Sequence, residues 1–250
     1  MWRIWNYWTG GKDNYLVDQV AGDAVIDVYP DIQRAAMAYQ SYLVRVVRYL
    51  ATEANVAQYL VIGTGFPAAQ NMHEVAQSII PAARVAYVDD DPSVLAHARA
   101  LLTPTTPDGI STCLDASMRN PTAYLTDAHE VLNFNRPVAT IFMSMLGNIE
   151  DLDEARSIMN QVITALPSGG YVAMGDFADT NDDVRAAAEQ YGKLSSQPYQ
   201  LRTTEQLASL LEGLELIEPG LVPVDTWHPD PVELGKTNPV DIWGALGRKP

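Results

Sequence analysis

The chain has 250 residues, 47% of them hydrophobic, and 31 acidic against 16 basic side chains, for a net charge of −15. That apolar share over this length supports a folded core, and an acidic chain with only four lysines lacks the basic face that a phosphate backbone needs, so nucleic acid is excluded as an expected partner. No stretch approaches the about 18 uninterrupted apolar residues of a membrane span. The opening MWRIWNYWTGGKDN has no signal-peptide pattern, and the single Cys113 leaves no intramolecular disulfide, so a cytoplasmic protein is expected with Cys113 as a small buried hydrophobe.

Residues 1–55 lack strand patterns and read as helices, with Asp31 placed to cap IQRAAMAYQSYLVRVVRYL. They are expected to form an all-helical cap over the ligand edge of a domain spanning 56–250. Trp2, Trp5 and Trp8 recur every three residues, which puts them along one helical face, either packing the cap down or walling a flat or cationic ligand. From about residue 57, short apolar runs alternate with helical patterns. QYLVIG (58–63) reads as a strand, NMHEVAQSII (71–80) as a helix, RVAYVDD (84–90) as a strand and the segment from Pro92 to about Leu102 as a helix. GISTCLD (109–115), PTAYLTDAHE (121–130), PVATIFMSML (137–146), LDEARSIMNQVITALP (152–167) and GGYVAMGDF (169–177) continue the alternation of strand and helix. Such a series builds an α/β fold, a parallel sheet with helices on both faces. Helices near 182–191 and 203–212 precede LELIEPG (214–220), a proline-rich stretch (222–239) and VDIWGALGRK (240–249), which read as two closing strands in a terminal antiparallel hairpin.

Open sheets of this kind bind ligands at their carboxyl edge. The first strand ends in Gly63-Thr64-Gly65, a turn that lets main chain approach a ligand; Pro67 and Ala68 stand where a dinucleotide fingerprint needs a helix start and a third glycine. The second ends in Asp89-Asp90-Asp91, where Asp89 is placed to take both hydroxyls of a ribose, Asp90 sits beside it, and Asp91 caps the following helix. Consecutive acids on a strand diverge, so no metal site is expected. Asp115, Ala116 and Ser117 at the third tip either border a base or form a turn. Met143 and Met145 line a pocket or fill the core, and the acids in 150–154 and 176–183 read as helix starts and solvated surface. His73, early in its helix, is a candidate base or an orienting group, with Tyr15 and Asp13 as alternatives.

The segments RIWNYWxGGKDNY (3–15), IGTGFP (62–67), NMHEVAQ (71–77), YVDDDPSVLAHARALL (87–102) and LELIEPGLVP (214–223) together resemble an actinobacterial S-adenosylmethionine-dependent methyltransferase family, of class I and Rossmann-like, first catalogued as a domain of unknown function. The resemblance covers nearly the whole chain. It implies a seven-stranded sheet whose last strand is antiparallel, with S-adenosylmethionine across the carboxyl edge. By the same resemblance Gly63 and Gly65 lie under the methionine and ribose and Asp89 holds the ribose hydroxyls, with Thr64 and the solvated Asp90 as further cofactor-binding candidates beside them. Asp115, Ala116, Ser117 and Met118 border the adenine, Asn71 and His73 face the cofactor, and the 10–14 loop, with Lys12 and Asn14, closes the site. The chain departs from the family pattern at Val61, where an acid is usual, and at Ser117 and Gly147, where a second acid and a histidine are common. The implied activity is methyl transfer to oxygen or nitrogen of a small, largely apolar acceptor of specialised metabolism. The departures leave a non-methylating reaction such as cyclisation, or ligand binding alone, as the alternative. No membrane partner is expected, and a homo-oligomer is compatible with the chain.

Overall fold

The computed structural model describes residues 2–64, 71–195, 199–230 and 239–250; Gly65, Pro67, Ala68 and part of the proline-rich stretch lie outside the described residues. Five parallel strands form the centre: β1 (Gln58–Ile62), β2 (Arg84–Asp89), β3 (Ile110–Asp115), β4 (Ala139–Met143) and β5 (Tyr171–Phe177). Beyond them lie the short β6 (Glu215–Leu216) and β7 (Val222–Pro223) and the longer β8 (Ile242–Arg248). The order is β3-β2-β1-β4-β5-β8-β6, with β7 also on β8, and β8 runs antiparallel to β5 from Phe177↔Ile242 to Tyr171↔Arg248. The reversed strand therefore lies between β5 and the short strands, as the class I resemblance implies.

Both faces of the sheet are covered, which is why β1, β4 and β5 read as continuous apolar runs rather than alternating ones. On one face Tyr59, Val61, Tyr87 and Ile141 pack under α3 (Ile32–Thr52) and α4 (Met72–Ile79). On the other, Leu60, Ile62, Val88 and Phe142 pack against α6 (Pro121–Ala128) and α7 (Leu152–Ala165). Val61 is fully buried in the first layer, so an acid there would sit among apolar side chains. The α5 helix (Pro92–Leu101) opens on its proline, and Asp91 caps it by accepting from the Ser93 amide at 2.8 Å.

The 1–55 segment divides in two. The short α1 (Trp2–Trp8) and α2 (Leu16–Ile26) form the cap, whereas α3 lies along the face of the sheet, where the Tyr42 hydroxyl is 3.0 Å from both the Met174 and Ala245 carbonyls. Asp31 precedes α3 but makes no capping bond; its carboxylate holds Arg34 at 2.9 Å instead. Other expectations shift at element ends. β4 stops at Met143 because Ser144 takes a left-handed φ of 50° and leads into a single 3-10 turn, Leu146–Asn148. The 214–220 strand shrinks to two residues, since Pro219 has no amide to donate and Gly220, at φ 86°, turns the chain. Helix α8 (Asp182–Ser195) runs longer than expected and α9 (Thr204–Ser209) shorter. Cys113 is half-buried rather than enclosed.

The C-terminal segment is fastened to α3 by Arg45, 4% exposed, whose guanidinium donates to the Trp227 carbonyl at 2.9 Å and the Val224 carbonyl at 2.6 Å. Arg45→Met keeps the apolar stem but strands two buried carbonyls. Urea unfolding should show a loss of about 2–4 kcal/mol, against about 0–1 kcal/mol for Arg48→Met, whose ion pair with Asp230 is exposed.

Candidate active site

The strand order reverses direction at β1, with β2 and β3 to one side and β4 and β5 to the other, and open sheets bind ligands at the carboxyl ends beside that point. Gly63 leaves β1 at φ 82° and donates its amide to Val88 at 2.9 Å; a Cβ here would lie 2.5 Å from Met145 Cγ. The next amide, of Thr64, donates to Asp89 Oδ2 at 2.9 Å, while the Asp91 amide donates to Oδ1 at 3.0 Å. One carboxylate thus ties the turn after β1 to the tip of β2. Burial pushes the Asp89 carboxyl above the usual range, against the pull of the Asp91 and Thr64 amides. Asp115 is in register with Asp89, and the Ala116 amide donates to the Asp89 carbonyl at 3.1 Å, so the β3 tip adjoins the β2 tip.

The structure therefore brings together Gly63, Thr64, Asp89, Asp115, Ala116 and Ser117. Asp90 and Asp115 are exposed, Asp115 lying 4.0 Å from Arg99; Ala116 and Met118 are buried, and the Ser117 carbonyl accepts from Asn120 in a turn. Asn71 is the N-cap of α4, its amide bonded to Glu74 at 2.8 Å. His73 turns into the interior. Its amide donates to the Tyr87 hydroxyl at 3.1 Å, its Nδ1 lies 3.0 Å from the same oxygen, and its ring also bonds the Thr103 main chain. Burial lowers its pKa, which favours the neutral ring. In the 10–14 loop, Asn6 Oδ1 accepts from the Asp13 amide and from Asn14 Nδ2, each at 2.9 Å; Lys12 and Asp13 are exposed, and Tyr15, 65% exposed, lies against Arg3. These contacts hold the loop to α1 and α2.

The α1 helix bridges the edge. The Trp2 indole is among the donors to Asp91; burial works to raise that carboxyl, but Ser93, the Val94 amide and Trp2 outweigh it and hold it below the usual range. Trp5 lies 6.1 Å from both Phe177 and Tyr39, and Trp8 6.2 Å from Tyr191, by ring centroids. All three tryptophans thus pack, reaching from the β2 tip to the β5 tip.

A second polar cluster, at β4 and β5, was not legible in the sequence. Asp176 reads as one of several acids in 176–183, yet it is 2% exposed and accepts from the Gly147 amide at 3.0 Å, the Phe177 amide at 3.2 Å and the Tyr199 hydroxyl. Ser144 Oγ lies 3.1 Å from the Tyr199 hydroxyl. Burial pushes the Asp176 carboxyl up to about 6, opposed by the Gly147 amide, the Arg202 charge and the Phe177 and Leu146 amides. The departure at Gly147 has a steric reason: a Cβ there would lie 2.4 Å from Tyr199 Cζ, so the glycine makes room for the tyrosine. The one available signal was an acid next to last in a fully apolar strand. Among the described residues no group of three or more His, Cys, Asp or Glu is placed to hold a metal, and no helix is long and apolar enough to cross a membrane.

A family model described as S-adenosyl methyltransferase matches residues 1–250. The chain belongs to that family. This methyltransferase is similar to a DUF574 family protein from Streptomyces avermitilis, at 37% identity over 100% of this chain and 97% of that one with a TM-score of 0.94. It is similar also to a Thermobifida fusca protein classed with the methyltransferases, at 33% identity over 100% and 94% of the two chains with a TM-score of 0.87. The N-methyltransferase NodS of Bradyrhizobium japonicum, in complex with S-adenosyl-L-homocysteine, is 13% identical over 85% of this chain and 88% of its own at a TM-score of 0.50, a likeness of fold alone. No curated protein matches the chain significantly. The enzyme has the class I methyltransferase fold, and its cofactor is S-adenosylmethionine.

Gly63→Ala should destabilise the methyltransferase by about 1–3 kcal/mol, from the left-handed backbone together with the clash with Met145. Thermal unfolding of Gly63→Ala with and without Met145→Ala separates the two: the second substitution should recover the steric share and leave the backbone share.

Proposed function

We propose that the enzyme methylates oxygen or nitrogen of a small, largely apolar acceptor, with the cofactor held across the tips of β1, β2 and β3. The observation that carries the cofactor placement is Thr64: its hydroxyl is buried at the glycine turn with no hydrogen-bond partner, beside a carboxylate fixed by two amides. An unsatisfied buried hydroxyl is costly, and a polar ligand at this turn satisfies it. The residues present fit S-adenosylmethionine. Gly63 allows close main-chain approach, Asp89 has lone pairs left for both ribose hydroxyls, and Ala116 and Met118 offer an apolar border to the adenine with Ser117 at its rim. Asn71, at the start of α4, stands next along the edge.

When bound, S-adenosylmethionine supplies a methyl group made electrophilic by its sulfonium. The chain's own work is placement. Asp89 fixes the ribose, α1 lies across the edge and excludes water, and in-line positioning of the acceptor contributes up to about 7 kcal/mol or more. A small apolar acceptor is supported by the cavity beside Phe177, whose lining is almost wholly aromatic and aliphatic. Since the His73 ring is buried against the Tyr87 hydroxyl, the reading gives that ring a structural role. Asp13, Tyr15, Lys12 and Asn14 act in it through the cap. A cytoplasmic location belongs to the same reading, because an unpaired thiol such as Cys113 suits a reducing compartment.

Asp89→Ala should weaken binding of S-adenosylhomocysteine by about 2 kcal/mol, roughly thirtyfold, by calorimetry. An unchanged affinity removes Asp89 from the site. Because burial raises this carboxyl, the wild-type affinity should decline as the pH is lowered through a range above that of an ordinary aspartate. Product mass tests the reaction: the gain of one methyl supports transfer, and an isomer of unchanged mass returns the non-methylating reading.

A further inference from the structure

Beyond the β5 tip, α1, α2 and α8 enclose a cavity of about 30 Å³ lined by Trp5, Trp8, Tyr29, Phe177, Tyr191 and Tyr199 among others. Its rings form a box: Phe177 lies 6.0 Å from Tyr199 and Tyr191 6.2 Å from Tyr199, both edge-on, while Trp5 and Trp8 close the side toward α1. Edge and tilted contacts at these spacings mean that the rings already pack on one another, so the box presents ring faces and edges only to the cavity they surround. Three of the lining rings are tyrosines, and the Tyr29 hydroxyl donates to Asp241 at 2.6 Å. The Tyr191 hydroxyl is buried without a hydrogen-bond partner, and Tyr191 itself is 6% exposed. The Tyr199 hydroxyl donates to Asp176 and has Ser144 Oγ at 3.1 Å, with Ser144 in the left-handed conformation that carries its hydroxyl there. Backbone strain of that kind is retained where the surroundings hold it in place, commonly at functional sites.

We propose that this cavity is the acceptor subsite and that it takes a planar aromatic ring bearing a hydroxyl, whose proton is drawn off through the Tyr199–Asp176 pair. The proposal rests on the methyl-transfer reading above and narrows its acceptor. Tyr199 touches the acceptor and is the catalytic residue; Asp176 acts through it and is a positioning residue. The acceptor O–H proton passes to the Tyr199 oxygen as the Tyr199 proton passes to Asp176. The electron pair freed on the acceptor oxygen forms the bond to the methyl carbon, and the sulfur–methyl pair stays on sulfur, leaving a neutral thioether and a neutral Asp176. Asp176 suits the task because its proton affinity lies near the working pH. The groups facing it are Tyr39 from α3, Ser144 and the Gly147 amide from the β4 turn, Tyr199, and the Arg202 guanidinium, whose Nη1 and Nη2 donate to the Leu146 and Ile149 carbonyls while its Nε is buried without a partner. At its present size the cavity holds about two waters. A ring enters as α1 and α2 move outward together, tied to each other by the Tyr7–Asp23 and Trp8–Gly22 hydrogen bonds.

The probe is 2-naphthol, a planar hydroxylated ring that gives up its proton to a nearby base when excited, so that naphtholate emission reports the base directly. Calorimetry on the full chain first establishes S-adenosylhomocysteine binding; if that product does not bind, the methyl-transfer reading falls, independently of the subsite. With it bound, 2-naphthol should bind saturably, and naphthalene and decan-1-ol about tenfold more weakly or worse. Ala188→Phe, which fills the cavity, should abolish 2-naphthol binding and leave S-adenosylhomocysteine affinity within about twofold. Naphtholate emission should fall as the pH drops through about 6, and should be lost in Tyr199→Phe and Asp176→Asn while 2-naphthol stays bound. Absent 2-naphthol binding, equal binding of decan-1-ol, or binding that survives Ala188→Phe overturns the subsite. Unchanged emission in Tyr199→Phe overturns the proton path.

Discussion

The arrangement of this enzyme depends on burying a parallel sheet on both faces. Once α3 and α4 cover one side and α6 and α7 the other, the side chains of β1, β4 and β5 short of the tips meet mainly apolar neighbours, and a polar group in mid-strand is stranded, as the Thr140 hydroxyl is. Polar chemistry is pushed to the carboxyl ends, where strands give way to turns and main-chain amides become available. Asp89 and Asp176 are the two results. Each is an acid at the end of an apolar strand, and each is held by amides of the turn after the neighbouring strand: Thr64 beyond β1 for Asp89, Gly147 beyond β4 for Asp176.

That common construction links stability and function. In both places a carboxylate crosses from one strand tip to the next and shapes the turn there. Burial raises both carboxyls, and in both cases the amides only partly offset it. The net charge of −15, by contrast, resides mainly in exposed side chains such as Asp153, Asp182 and Glu205, and bears on solubility more than on the site. A tip carboxylate acts through its immediate surroundings, and those are set by the tertiary fold.

What could be read in advance divides along the same line. The strands were legible because each is a short apolar run bounded by turn residues, and Asp89 was legible because it ends such a run beside a glycine turn. Asp176 was not: four acids within 176–183 look like solvated surface, and only the pairing of β5 between β4 and β8 shows that the first of them is enclosed. The setting of His73 was hidden for the opposite reason. Closeness to the glycine turn along the chain suggested the cofactor, but the packing of α4 turns its ring toward Tyr87. Tyr199 gave no local signal, because its role depends on Gly147, 52 positions earlier, leaving space for its ring.

The sequence by itself determined the alternation of strand and helix, the glycine turn, the acid at the second strand tip and, through segments spread from residue 3 to residue 223, the family resemblance; these follow from local composition and order along the chain. Tertiary structure alone decided that α3 belongs to the sheet while α1 spans its edge, that His73 faces inward, and that Asp176, Tyr199 and Ser144 meet. Those outcomes depend on which elements lie side by side after burial, and residues 23 to 55 positions apart become neighbours only when the sheet order is set.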